Sequence, residues 1–134
     1  MNFLNRLQPL ALLVLRLVLG TIMIAHGWQK IADHMHIITG MVQQLGLPSY
    51  LAYLVVAAEF GGGIFVLVGF LTRLAALAIL VDMLVAICKV HLPNGLFAPK
   101  GFEFPMACAA IAFALIFTGA GPIAVDWLWG SKGR

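Results

Sequence analysis

Charge is what this sequence has least of. Aspartate, glutamate, lysine and arginine together make up 10% of its 134 residues, against about 25% in soluble chains. The net charge of +3 is small and scattered, which excludes the basic patch that nucleic-acid binding requires. The only cysteines, Cys88 and Cys108, form no C-x-x-C pair. No haem axial pair, flavin motif or iron–sulfur cysteine set is present. Gly61-Gly62-Gly63 follows no strand pattern and precedes no phosphate motif, so it reads as a helix-packing face rather than a cofactor loop. Repeats and low-complexity segments are lacking as well.

What fills the space is apolar surface. Hydrophobic residues account for 63% of the chain, more than one small soluble domain could bury. They gather in four runs, roughly 10–31, 47–71, 74–90 and 104–118, each near the length of about 20 residues that spans a bilayer as a helix. The expectation is an all-α integral membrane four-helix bundle. It forms a single domain over residues 1–134, with helices at about 9–32, 48–71, 73–91 and 103–118. Pro9 suits a first helical turn. Pro93 and Asn94-Gly95 close the third helix, and Thr118-Gly119-Ala120-Gly121-Pro122 closes the fourth.

Residues 34–46 are too polar to span. Ile37, Ile38, Met41, Val42 and Leu45 recur there at helical spacing, which predicts a short amphipathic helix on the membrane surface. His34 and His36 read as solvated loop residues. Arg6 and the apolar run after it resemble a signal peptide. Arg16 interrupts that run and no small-x-small cleavage site follows, so a retained first helix is expected. With four spans, Arg6, Arg73, Lys132 and Arg134 share one side, and Lys30, Lys89 and Lys100 lie toward the other. The positive-inside rule then puts both termini in the cytoplasm, in a multi-pass protein of the inner (plasma) membrane.

Three charges fall inside the spans, where each costs several kcal/mol unless paired or hydrated. Counting 1.5 Å per residue from the inner ends puts Arg16 about 12 Å deep, Asp82 about 15 Å and Glu59 about 16 Å. They would converge on one layer from three helices. The plainer reading is a salt-bridge network fixing helix register, with the arginine fork holding both carboxylates. The sharper one is that a single arginine cannot neutralise two buried carboxylates, so the spare one carries a proton or bonds a quinone-like carbonyl.

A second polar group, His26, Lys30, Lys89, His91 and Glu103, lies nearer the outer side. His26 and Lys30 are four apart on one helix face, and so are Asp82 and Lys89 at seven apart. Together they would run a polar track from midplane to surface, although lysines at such positions commonly just snorkel to headgroups. The histidine and acid spacing matches no recognised metal site. Cys88 and Cys108 both fall in the outer half, which leaves a disulfide or redox pair open beside the plainer reading of two small apolar side chains.

An ordered series of short motifs, each weak alone, covers residues 8–128. It runs Leu15-Arg16-Leu17, Ala25-His26-Gly27-Trp28-Gln29-Lys30, Leu45-Gly46-Leu47-Pro48 and Glu59-Phe60-Gly61-Gly62-Gly63. It continues with Val68-Gly69-Phe70-Leu71-Thr72-Arg73, Val90-His91-Leu92-Pro93-Asn94-Gly95-Leu96-Phe97 and Gly101-Phe102-Glu103-Phe104-Pro105. The series resembles the DoxX family. A family-like Thr-Gly-Pro-Gly-Arg stands here as Thr118-Gly119-Ala120-Gly121-Pro122, without the arginine. The resemblance implies a four-helix inner-membrane protein. Relatives include the membrane subunit of a thiosulfate:quinone oxidoreductase and a component of a membrane complex protecting against oxidative or thiol stress.

The resulting expectation is a membrane component of a quinone-linked redox or oxidative-stress system. Its catalytic candidates are Glu59, His26, Arg16 and Asp82. Its cofactor-binding candidates are His26, Lys30, His91 and Glu103; the cofactor is left open, with quinone as the candidate, and no metal is expected. It would work in the lipid bilayer with a redox partner subunit or as a homo-oligomer. The alternatives are a small-solute or proton transporter and a non-catalytic membrane anchor or assembly factor.

Overall fold

In lipid a backbone can satisfy its own polar groups only within a helix or a closed barrel. Helix is the only regular structure among the described residues. The computed structural model describes residues 2–33, 35–97 and 99–130. His34, Lys132 and Arg134, which entered the sequence reading, lie outside them.

A short α1 (Asn2–Arg6) leads into α2 (Gln8–Asp33), with Pro9 in the first turn of α2. The amphipathic segment is helix α3 (Met35–Gln44), which buries Val42 and carries His36 on its exposed side. His36 is therefore helical and not in a loop. Next come α4 (Leu51–Val68), α5 (Thr72–Asn94), α6 (Glu103–Thr118) and a terminal α7 (Val125–Gly130). The apolar run 47–71 is longer than α4. Gly46, at φ 75°, and Pro48 hold the chain in a turn before it, and Gly69, at φ 74°, ends it.

The helices α2, α4 and α5 are each long and apolar enough to cross a membrane. The fourth, α6, has 16 residues and rises about 24 Å, short of the roughly 30 Å hydrocarbon core. The four expected spans are thus three long helices and a shorter apolar one. Leu77, Val81, Leu84, Phe113 and Phe117 point outward. Lipid takes up such a surface, whereas water would not.

Inside, Leu19, Met23, Val66, Ile79, Met83, Ala112 and Leu115 form the core. The contact of α2 with α4 is the most extensive between helices, and α5 against α6 also forms a long seam. The α2–α4 seam is built on glycines. A Cβ on Gly27 would stand 2.6 Å from the Phe60 nitrogen, and one on Gly63 would stand 2.9 Å from Met23 Cβ and from the Ile24 nitrogen. Gly20 faces Leu67 and the Gly63 carbonyl as closely. Between helices in lipid the attraction comes from close van der Waals contact, so small residues at the crossing set its strength. The glycine run expected to be a packing face divides its work. Gly63 meets α2, Gly62 meets Ile79 of α5 at 3.3 Å, and Gly61 meets nothing within 4 Å.

Replacing Gly63 or Gly27 by Ala is expected to cost about 1–3 kcal/mol, because the new methyl meets backbone atoms that cannot turn aside. Gly61→Ala, on an open helix face, is expected to be neutral or slightly stabilising. Thermal unfolding of the three variants in detergent micelles checks the order.

Candidate functional site

Helix α4 is not regular throughout. Residues Ala57–Gly61 form a π-helical turn, in which the Gly62 N–H reaches back to the Ala57 carbonyl. Such turns insert one extra residue, and they recur at functional sites. Glu59 sits in this turn with only 4% of its surface exposed.

There Glu59 Oε1 accepts a charge-assisted hydrogen bond from Lys30 Nζ at 2.5 Å. Asp82 of α5 faces the same group, its carboxyl within hydrogen-bonding reach of Glu59 and within electrostatic reach of Lys30. Cys108 of α6, almost fully buried, brings its thiol into the electrostatic neighbourhood of Glu59. Glu59 Oε2 and Asp82 Oδ2 are buried, and neither finds a hydrogen-bond partner among the described residues. Two carboxyl groups therefore confront one ammonium in the interior of the bundle. A facing pair of acceptors is satisfied only when a proton or a donor atom comes between them.

The remaining candidates surround this cluster at different distances. His26 is exposed on α2, one turn before Lys30, with its ring on Phe104 of α6 at 5.2 Å between centroids. His91 sits half-buried in a second π turn, Ile87–His91, with its Nδ1 3.0 Å from the Lys100 carbonyl oxygen. Glu103 opens α6, its N–H donating to the Leu96 carbonyl at 2.9 Å. Lys89 is exposed. Cys88 and Cys108 are both free thiols, the first exposed and the second buried. No group of three or more His, Cys, Asp or Glu suited to a metal occurs among the described residues.

Arg16 stands apart from this group, and here the sequence-based geometry needs correction. The three intramembrane charges do not share one layer. The Arg16 guanidinium is buried at the other end of α4 and spends its donors on backbone. Nε donates to the Val66 carbonyl at 3.0 Å and Nη2 to the Leu67 carbonyl at 2.9 Å. Nη1 donates to the carbonyls of Ala120 at 3.0 Å and Ile123 at 2.5 Å. The last carbonyls of a helix lack intrahelical donors and carry the negative end of its dipole, so a cation is at home there. Lys30, expected in an outer polar track or snorkelling to the headgroups, is the partner of Glu59.

Asp126 completes the Arg16 end and was not singled out from the sequence. Its Oδ1 accepts the Leu71 N–H at 2.7 Å and its Oδ2 the Thr72 N–H at 2.9 Å, while its own N–H donates to the Gly69 carbonyl at 2.8 Å. These bonds hold the α4–α5 turn, where Leu71 takes a left-handed φ of 46°. Sequence spacing cannot reveal them, because the partners are backbone groups more than fifty residues away.

The two ends predict different stability effects. Arg16→Gln is expected to destabilise by about 3–5 kcal/mol, since buried carbonyls lose a charged donor. Glu59→Gln leaves Lys30 without its counter-charge and is expected to cost about 1–3 kcal/mol, less than a fully buried pair because Lys30 is partly exposed. Asp82→Asn removes one of two facing acids and is expected to be neutral or stabilising. Unfolding in detergent measures all three, and a destabilising Asp82→Asn would contradict the arrangement.

The DoxX family model matches residues 11–92. The chain is 30% identical over 125 residues to "Putative oxidoreductase CatD" of Bacillus subtilis (strain 168), covering 91% of this chain and 89% of that protein. It is 37% identical over 73 residues to "Inner membrane protein YqjF" of Escherichia coli (strain K12), covering 54% and 55%. It is 31% identical over 132 residues to "Uncharacterized membrane protein Rv3486" of Mycobacterium tuberculosis, covering 94% and 78%. No solved structure matches it. An all-helical membrane bundle with three long apolar helices, carrying the family's match across α2 to α5, belongs to the DoxX family.

Proposed function

We propose that this protein is a membrane component of a quinone-linked redox system, and that the Lys30–Glu59–Asp82 cluster holds and passes a proton there. The observation that carries this reading is the pair of buried, unpartnered carboxylate oxygens beside a single ammonium. That charge count leaves room for one proton between Glu59 and Asp82, with Lys30 holding the pair's negative charge. The name of the Bacillus subtilis relative, which includes the word oxidoreductase, favours a redox role over a purely structural one.

The residues fit a quinone. Its carbonyl oxygens need donors, and its reduced hydroxyls need acceptors. Lys30 and His26 offer the donors, four residues apart on one face of α2. Glu59 Oε2 and Asp82 Oδ2 offer the acceptors. The Phe104 ring beside His26 gives an apolar surface on the lipid-facing side. A quinone bound there would supply two-electron, two-proton chemistry. Glu59 and Asp82 would deliver or receive the proton, Lys30 would keep Glu59 in place, and His26 would orient the ring. His91, late in α5, and Glu103, at the start of α6, lie toward the same end of the bundle as Lys30. Arg16 acts through the fold and not at this site.

Since no electron-carrying motif is present in the sequence, electrons would reach the site from a different, redox-active partner subunit, whether or not the chain also forms a homo-oligomer. Localisation in the inner (plasma) membrane with cytoplasmic termini, and the grouping of residues 1–134 into one DoxX-like domain, belong to the same proposal.

Lipid extracts of gently purified protein, analysed by mass spectrometry, test it. The wild type should retain near-stoichiometric quinone. Glu59→Gln and His26→Ala, each checked for an intact fold by thermal unfolding, should lose it by at least about tenfold. Absence of quinone from the wild type would overturn the redox reading. Proton flux in proteoliposomes without quinone, lost in Glu59→Gln, would assign the same cluster to transport.

A further inference from the structure

A second feature lies at the opposite end of the bundle from the Lys30–Glu59–Asp82 cluster and is independent of it. A cavity of ≈ 750 Å³ opens between the start of α5 and the segment following α6. Its wall includes Thr72, Arg73, Gly119, Asp126 and Trp127. Thr72 is fully buried, and its Oγ1 has no hydrogen-bond partner among the described residues. The Arg73 guanidinium lies over Gly119, where a Cβ would come 3.3 Å from Nε. Arg73 itself is exposed and makes no ion pair among the described residues.

The wall carries two charged residues, Arg73 and Asp126, one of each sign. Asp126 is its only acid, and both of its oxygens are engaged by the Leu71 and Thr72 N–H groups. Arg16 also lies within electrostatic reach of that carboxylate. With Arg16 beside Asp126, Arg73 is the wall's cation with no ion-pair partner among the described residues. Helix α5 begins here and is 15 residues long before its π turn, so its first N–H groups and positive dipole end point the same way. Asp126 takes the N–H groups of Leu71 and Thr72, and no acceptor among the described residues takes those of Arg73 and Leu74. A guanidinium, a spare hydroxyl and open N–H groups at a helix start are the donors that a tetrahedral oxyanion needs. Trp127 lines the cavity and Trp129 meets Phe70 edge-to-face at 5.4 Å between centroids, and this pair of tryptophans suits the depth of a membrane interface.

We infer that this cavity binds a phosphate-type anion through Arg73, Thr72 and the start of α5. A phospholipid headgroup and soluble phosphate both present that chemistry. Native mass spectrometry from detergent, with added phosphatidylglycerol, phosphatidylcholine or inorganic phosphate as probes, separates them. The wild type should retain phosphatidylglycerol at least about tenfold better than phosphatidylcholine. Arg73→Gln should abolish that preference, Thr72→Val should weaken it, and Arg73→Lys should restore part of it. Arg6→Gln, which removes an exposed arginine outside the cavity, should leave the preference intact.

Phosphatidylglycerol retention that millimolar phosphate does not displace identifies a lipid site. Displacement by phosphate, with phosphate alone raising the melting temperature of the wild type but not of Arg73→Gln, identifies a soluble anion. Equal retention of the two lipids without any phosphate effect would overturn the inference. So would an Arg6→Gln loss as large as that of Arg73→Gln, since general surface charge would then explain the preference.

Discussion

The close approach of α2 to α4 is the constraint on which the rest of this structure depends. Arg16, Gly20, Met23, Gly27 and Lys30 follow one another at spacings of four, three, four and three residues, so they form a single stripe along α2. The glycines in the middle let the two backbones meet. The charged residues at the ends then reach across the seam in opposite directions along α4. One binds the helix's last carbonyls, and the other binds the carboxylate in its π turn. Were the seam wider by one methyl group, both long side chains would have to stretch. A packing contact in lipid thereby fixes the two polar sites of the protein.

The two cations of this stripe end in different chemical situations. Arg16 gives four of its five N–H groups, from all three nitrogens, to backbone carbonyls, so it is held in place. Its role is to join α4 to the chain after α6. Lys30 meets one carboxylate directly while a second acid stands beside it, with oxygens still unpartnered. Saturated polar groups stabilise a fold, whereas unsaturated ones in a low-dielectric interior await a proton or a guest. The contrast separates a structural charge from a chemical one within a single helix.

The same logic orders the opposite end of the bundle. A turn with two left-handed residues, Gly69 and Leu71, would be strained if left alone. Asp126 stabilises it by accepting two of its N–H groups, and the short α7 that begins at Val125 keeps Asp126 there. The chain after α6 thus closes the bundle while leaving Thr72 and Arg73 at the wall of a cavity.

Much of the architecture was legible in the residues themselves. Apolar runs of spanning length can satisfy their backbones in lipid only as helices. Pro9, Pro93 and Gly119 mark ends and turns by their own conformational preferences, whereas Gly69, expected inside a helix reaching residue 71, ends α4 in a left-handed conformation. The ordered motifs pointed to the family, and Glu59 and Asp82 were recognisable because carboxylates within such runs are costly. Their partners were not recognisable. Depth along a helix constrains the height of a charge but not its azimuth, so Arg16 looked like the counter-ion of Glu59 when it faces carbonyl groups instead. Lys30 looked like part of an outer track because its long side chain, which reaches down to Glu59, adds a turn of depth that counting residues omits. The π turn and the Asp126 cap arise only when four helices take up their relative rotation, and that rotation also decides that Glu59 and Asp82, expected at one depth, meet beside Lys30. Composition and periodicity determined that this chain is a helical membrane protein; the pairing of its few charges was decided by side-chain reach across a seam of glycines.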